Sequence, residues 1–344
     1  MKLSCSQCPA EFEVPDQKLL ALNKDVNLPC PSCKSGIPVK MATVPGFRKP
    51  EALQPKQPVS RPASDPGDLK KKILNSVKQL PPMPQVAQKA RQVISDPKSS
   101  YSELSDVINT DQGIVTQILK LANSSYYGVS GKVSSVKHAA AVLGVKTVME
   151  LLDMACASGL LGGDLDGYDL NAGDLWEHSL AVAEAARLIA KAGHPALAEE
   201  AFSAGLIHDV GKLILSPYVV ERKDEFTAMV GDGQHSFLSA EKDILGFDHA
   251  QIAADVCRQW KMPANIIDAI GHHHSPDCAD EKLLTCIIHI ADAAAIMSGI
   301  GTGIDGMLYS MDPDALERLK IGEEDLNEVM GNAAIYVEQT VSQV

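Results

Sequence analysis

An all-α fold is what this sequence predicts, and three observations predict it. Only 4% of its 344 residues are aromatic. Ala and Leu are plentiful while β-branched runs stay short, which favours helix over strand. From Leu69 onward, apolar residues recur at spacings of three and four, the period of helices that bury one face.

Taken in order, the chain divides into five stretches. Residues 1–41 carry Cys5-x-x-Cys8 and Cys30-x-x-Cys33. Two such pairs at this separation can close a tetrahedral thiolate site around zinc, which lets a segment too small for its own core fold. Glu11-Phe12-Glu13-Val14 and Ile37-Pro38-Val39 read as short strands, so this stretch resembles a zinc ribbon of the kind found at the N-termini of bacterial regulatory proteins. Residues 42–68 hold Pro45, Pro50, Pro55, Pro58, Pro62 and Pro66 and read as a semi-extended linker. Residues 69–161 read as a helical subdomain: Leu80-Pro81-Pro82-Met83-Pro84 breaks its first helix from its second, and Ser100-x-x-Glu103 is a capping box. Its later helices are expected at Gln112–Asn123, Ser135–Leu143 and Val145–Leu161, and Leu143-Gly144-Val145 reads as a tight turn between packed helices. Residues 162–298 open with a Gly/Asp-rich turn and continue as a second helical group. Residues 299–344 add two helices, near Pro313–Lys320 and Glu323–Val341, in which the pattern shows packing alone.

Charge narrows the function classes. The net charge is −13, but residues 1–70 hold ten Lys/Arg against seven Asp/Glu, and the rest hold twenty-one against thirty-seven. The helical part should therefore repel nucleic acid, leaving residues 1–70 as the one segment suited to it. An anionic ligand of the helical part needs a local positive site, such as a metal. No apolar run approaches the roughly 20 residues of a membrane span, and Met1-Lys2-Leu3-Ser4-Cys5 lacks a signal-peptide core, so a cytoplasmic protein is expected.

The polar residues of interest lie on apolar stripes. His178 follows Leu175 by three and precedes Val182 by four; Asp209 shares the phase of Phe202, Leu206 and Leu213, with His208 one step round. His249 leads into Ile252, Val256 and Trp260; His273 and His274 continue Ile266, Ile267 and Ile270, whereas His272 points away; Asp292 follows Ile288 by four. A lone histidine on such a face is usually a hydrogen-bonded core residue. Several turned inward together would each cost about 1–3 kcal/mol if unsatisfied, and one or two divalent cations would compensate them all.

In order, His178, His208-Asp209, His249, His273-His274 and Asp292 resemble the signature of the HD superfamily of metal-dependent phosphohydrolases. Trp176-Glu177-His178-Ser179, Gly205-Leu206-Ile207-His208-Asp209-Val210-Gly211-Lys212 and His273-His274-Ser275-Pro276 are more specifically similar to the HDOD family of bacterial signalling output domains, over about Asp68 to Ser298. The resemblance implies an HD-like helical bundle and a signalling role through protein partners or a phosphorylated or nucleotide ligand, with an active phosphohydrolase or phosphodiesterase as the alternative. Asp209 would bridge two metals, His178, His208 and Asp292 completing one and His249, His273 and His274 the other; Asp174, one turn before His178, is an extra candidate ligand. Iron, manganese or zinc suits this mixed donor set. Asp209 and Lys212 are the candidate catalytic residues, with Lys212 either holding a phosphate oxygen or standing as a solvated helix end. The chain also resembles HD-GYP phosphodiesterases in its histidines, but Ser275-Pro276-Asp277-Cys278 replaces their Gly-Tyr-Pro.

If the ribbon grips nucleic acid, residues 1–70 bind DNA or RNA with an affinity that falls as salt rises. A filter-binding or anisotropy titration that shows no salt-sensitive binding removes that class.

Overall fold

The computed structural model describes four short strands between residues 2 and 39 and, apart from residues 80–83, 97, 130, 232–234 and 307–310, the chain from Pro66 to Val341. Cys5, Cys8, Cys30 and Cys33, most of the proline-rich linker, and Leu80 to Met83 lie outside the described residues. Two compact units emerge, residues 1–63 and 64–344. In the first, β1 (Lys2–Ser4) pairs antiparallel with β2 (Glu11–Glu13), and β3 (Val26–Pro29) with β4 (Gly36–Val39).

The second unit is helical, as the periodicity predicts. Its first half comprises α1 (Pro66–Gln79), α2 (Gln85–Ser95), α3 (Tyr101–Ile108), α4 (Gln112–Ala122), α5 (Val136–Leu143) and α6 (Val145–Leu161). The Ser100–Glu103 capping box forms in full, with the Ser100 side chain accepting from the Glu103 N–H and Glu103 accepting from the Ser100 N–H. α1 begins at Pro66, inside the expected linker, because proline at the first turn forfeits no helical hydrogen bond.

The second half comprises α7 (Asp174–Gly193), α8 (Ala198–Ile207), α9 (Gly211–Glu221), α10 (Lys223–Val230), α11 (Phe237–Leu245), α12 (His249–Gln259), α13 (Ala264–Gly271), α14 (Lys282–Met297), α15 (Pro313–Leu319) and α16 (Glu323–Val341). α7 is the hub. It packs against α8, α14 and α16, and Leu180, Ala181, Val182, Ala183, Ala185 and Ala186 have no exposed surface. Small side chains on every face let three helices approach it. The stretches 69–161, 162–298 and 299–344 are thus knitted into one unit: α6 packs on α7 and α8, and α16 closes over α7.

One close approach sets the site. A Cβ on Gly211 would stand 2.0 Å from the His249 carbonyl oxygen and 2.8 Å from the Ala253 nitrogen. Only glycine lets the start of α9 press against the start of α12, which brings His249 beside Asp209. Gly211→Ala is expected to force these helices apart and lower stability by about 1–3 kcal/mol, the usual cost of overpacking, read from urea unfolding; an unchanged midpoint would contradict this contact.

Candidate metal centre

His208 and Asp209 do not lie inside a helix. The sequence pattern runs a single stripe from Phe202 to Leu213, but α8 ends at Ile207 and α9 starts at Gly211. Between them the chain tightens: Val210 N–H donates to the Ile207 oxygen, Lys212 N–H to that of Asp209 and Leu213 N–H to that of Val210. His208 keeps helical dihedrals, φ −55° and ψ −35°, so the inward phase survives the break. His273 and His274 likewise follow the end of α13. Of the seven residues of the His/Asp signature, His178, His249 and Asp292 sit within helices and His208, Asp209, His273 and His274 follow helix ends, so the site is fed by helix ends as much as by helix faces.

Both helix ends use the same device. The last carbonyls of a helix have no partner within it. The His208 Nδ1–H donates to the Gly205 oxygen at 2.8 Å, and the His273 Nδ1–H to the Ile270 oxygen at 2.7 Å. Each imidazole therefore satisfies a carbonyl three residues back and turns its Nε2 inward. His178 does the same with the Ile300 oxygen at 3.2 Å, and His249 donates Nδ1–H to Glu241 Oε2 at 2.8 Å. A carbonyl or carboxylate oxygen can only accept, so in all four the proton sits on Nδ1, leaving Nε2 to bind a cation.

These nitrogens converge on two buried carboxylates. Asp209 Oδ2 lies 3.3 Å from His208 Nε2 and 3.7 Å from His178 Nε2. Asp209 Oδ1 lies 3.4 Å from His249 Nε2 and 3.9 Å from His273 Nε2. Asp292 Oδ1 lies 3.1 Å from His178 Nε2 and 3.7 Å from His208 Nε2. His274 Nε2 approaches His249 Nε2 to 2.7 Å. Among the described residues, three groupings could hold a metal ion: His178, His208 and Asp209; His208, His273 and Asp292; and His249, His273 and His274. His208 Nε2, Asp209 Oδ1 and His273 Nε2 are buried with no hydrogen-bond partner. Leaving three such atoms unsatisfied would cost about 1–3 kcal/mol each, and a cation is the partner that a mixed nitrogen and oxygen donor set fits.

Asp174 stands outside the cluster, and Lys212 stands against it. Asp174 belongs to none of these groupings; its Oδ2 accepts from the Asn171 backbone N–H and side-chain amide, fixing the turn into α7. Lys212 is no solvated helix end: it is buried, 2.6 Å from Asp209 Oδ2, and also ion-paired to Asp305. A cavity of about 170 Å³ adjoins the cluster, with Asp209, Lys212, His249, His274, Asp292 and Asp305 in its wall.

Sequence reading missed a second layer. Glu241, fully buried, accepts from the His249 side chain and backbone and from the Tyr168 hydroxyl. The phase test applied to the histidines finds it, since Glu241 follows Phe237 by four and precedes Leu245 by four. His289 lies four residues after Thr285, and its Nδ1–H donates to the His273 oxygen at 2.8 Å. Tyr168 and Asp305 come from a turn and from a three-residue helix, where no periodicity can mark an inward side chain.

Electrostatics separates the groups. Burial alone would lower His208, but Asp209 beside it pushes it up to about 10; burial would also lower His249, and Glu241 raises it to about 9. Burial, with His208 nearby, takes His273 down to about 3, and burial with His273 holds His274 well below the usual histidine range. Burial would raise Asp209 and Asp292, but His208 and Lys212 around the first, and the His178 hydrogen bond with the His208 imidazole nearby for the second, hold both well below the carboxylate range.

Comparison with known proteins bears on the family and the fold. The HDOD domain model matches residues 80–276. An uncharacterised protein of Treponema pallidum is 25% identical over 225 residues, 64% of this chain; the matched region spans only 42% of that relative's length. A proposed signal transduction protein of Marinobacter aquaeolei VT8 has the same fold with a TM-score of 0.63 at 20% identity, over 91% of this chain and 69% of that one. A proposed metal-dependent phosphohydrolase of Shewanella amazonensis SB2B superposes with a TM-score of 0.53 at 18% identity, over 80% of this chain and 98% of that one. No helix among the described residues is long and apolar enough to cross a membrane.

Because His208 and His249 are raised above their ordinary 6.5, protonation stabilises the metal-free fold fully below pH 6.5, and that contribution is lost as pH rises towards 9 and 10. The urea midpoint of chelator-treated protein is therefore expected to fall across this range. Metal must displace these protons, so metal affinity is expected to rise with pH over the same range; a flat midpoint and a pH-independent affinity would contradict the assignment.

Proposed function

The chain belongs to the HDOD family, and from that premise we propose that it is a signal-transduction protein built around a metal centre in its helical core, acting through a small ligand and protein partners. One observation carries this reading: four imidazoles, each with Nδ1 fixed by a hydrogen bond, turn Nε2 onto two buried carboxylates, and three of the buried polar atoms there lack any partner. His178, His208, Asp209 and Asp292 would hold one ion, and His249, His273 and His274 with Asp209 a second, from iron, manganese or zinc. Such an ion supplies Lewis acidity to a phosphoryl oxygen and eases the deprotonation of water.

The ligand we favour is a phosphorylated or nucleotide small molecule. An anion needs a local positive site in an otherwise acidic helical unit, and ions held beside the adjoining cavity would supply it. A hydrolase of the same ligand class is the second reading, favoured because the cavity wall includes both Asp209 and Lys212. In that reading Lys212 binds a phosphate oxygen and Asp209 orients the reacting group. The sequence Ser275-Pro276-Asp277-Cys278 argues against a cyclic dinucleotide. For residues 1–41 we propose a zinc ribbon, since each CxxC pair stands in the sequence between the two strands of an antiparallel pair.

Elemental analysis of the full chain carrying Cys5→Ser, Cys8→Ser, Cys30→Ser and Cys33→Ser, purified without added metal or chelator, should find a transition metal, and Asp209→Ala should remove it. Finding none in the parent sinks the metal reading. Hydrolysis of an aryl phosphodiester and a nucleotide panel then separates the two functions: turnover lost in Asp209→Ala selects the hydrolase, and no turnover selects the binding protein.

A further inference from the structure

The segment after α14 reads in the sequence as packing alone, and it lies beyond the residues matched to the HDOD model. In the structure it straps the metal centre from behind. The Ile300 oxygen accepts from His178 Nδ1–H. A Cβ on Gly301, at φ +56°, would stand 2.8 Å from the His178 Cβ and 2.1 Å from the Asp174 oxygen, so the strap lies directly on α7. Ile304 N–H donates to the Tyr168 oxygen at 2.9 Å. Further on, Asp312 N–H donates to His289 Nε2, whose own Nδ1–H holds the His273 oxygen. Between these tethers, Asp305 pairs with Lys212.

Lys212 raises a difficulty that Asp305 resolves. Its ammonium lies 2.6 Å from Asp209 Oδ2, the oxygen facing His208 and His178. In a buried site, a positive charge there competes with any cation for the same carboxylate and repels it, and neither effect is screened by water. Asp305 places a second carboxylate on that ammonium. The Lys212–Asp305 pair is then neutral as a cation experiences it, and Asp209 keeps its negative charge for the metal.

Resting on the metal reading above, we propose that Asp305 is a positioning residue of the metal centre: it holds Lys212 so that Asp209 stays available to a divalent cation. The strap is therefore part of the site, and the site is incomplete without it.

The test is a double-mutant cycle on the full chain, with Mn²⁺ as the probe because cysteine thiolates take it poorly and chelator competition as the measure of affinity. Asp305→Asn should weaken Mn²⁺ binding by about 10–100-fold, the scale of outer-layer losses at metal sites. Adding Lys212→Met to Asp305→Asn should recover most of that loss, because the unbalanced ammonium leaves with its partner. A simple loss of packing predicts no such recovery. Melting of the chelator-treated proteins checks that each variant folds. Unchanged affinity in Asp305→Asn overturns the proposal, and so does a loss that Lys212→Met fails to relieve. A parent chain that takes up no Mn²⁺ overturns the metal reading itself, and this proposal with it.

Discussion

The Asp209 carboxylate is the constraint on which the rest of the structure depends. It is 2% exposed, yet its neighbours hold it ionised. A buried charge is tolerable only when the surrounding chain brings compensating groups to it from several directions. His208 and Lys212 arrive from its own turn, His178 from α7, His249 from the start of α12 and His273 from the end of α13.

Backbone geometry makes that convergence possible. Alanines along α7 let α8 and α14 close on it, and Gly211 lets α9 touch α12. Histidine rings at two helix ends take up carbonyls that the helices leave open, so the same hydrogen bonds that finish α8 and α13 also aim Nε2 at Asp209. Fold and site share these bonds, which gives the donor set its rigidity. Outside it, Glu241, Tyr168, His289 and the strap that carries Asp305 fix what the inner residues leave free to rotate.

The proposed ligand binding rests on the cavity beside the cluster, in a unit whose charge is acidic and where bound ions would supply the positive site an anion needs. The second layer also links the centre to the C-terminal helices through the Ile300, Asp305 and Asp312 contacts. The centre and that segment are thereby joined by hydrogen bonds and an ion pair.

The sequence by itself determined the helical class, the Ser100 capping box and α6 to the residue, and it marked His178, Asp209, His249, His273, His274 and Asp292 as inward-facing, with His208 one step round. Helical periodicity fixes which side of an element is buried, and these residues share that side with apolar neighbours. Only the tertiary structure decided that His208-Asp209 and His273-His274 sit at helix ends, that Asp174 serves a turn, and that Lys212 is locked between two carboxylates. Tyr168 and Asp305 were silent in the sequence because a side chain on a turn has no period to betray its direction. Where such a chain points is settled by what packs against it, and those partners lie far away along the chain.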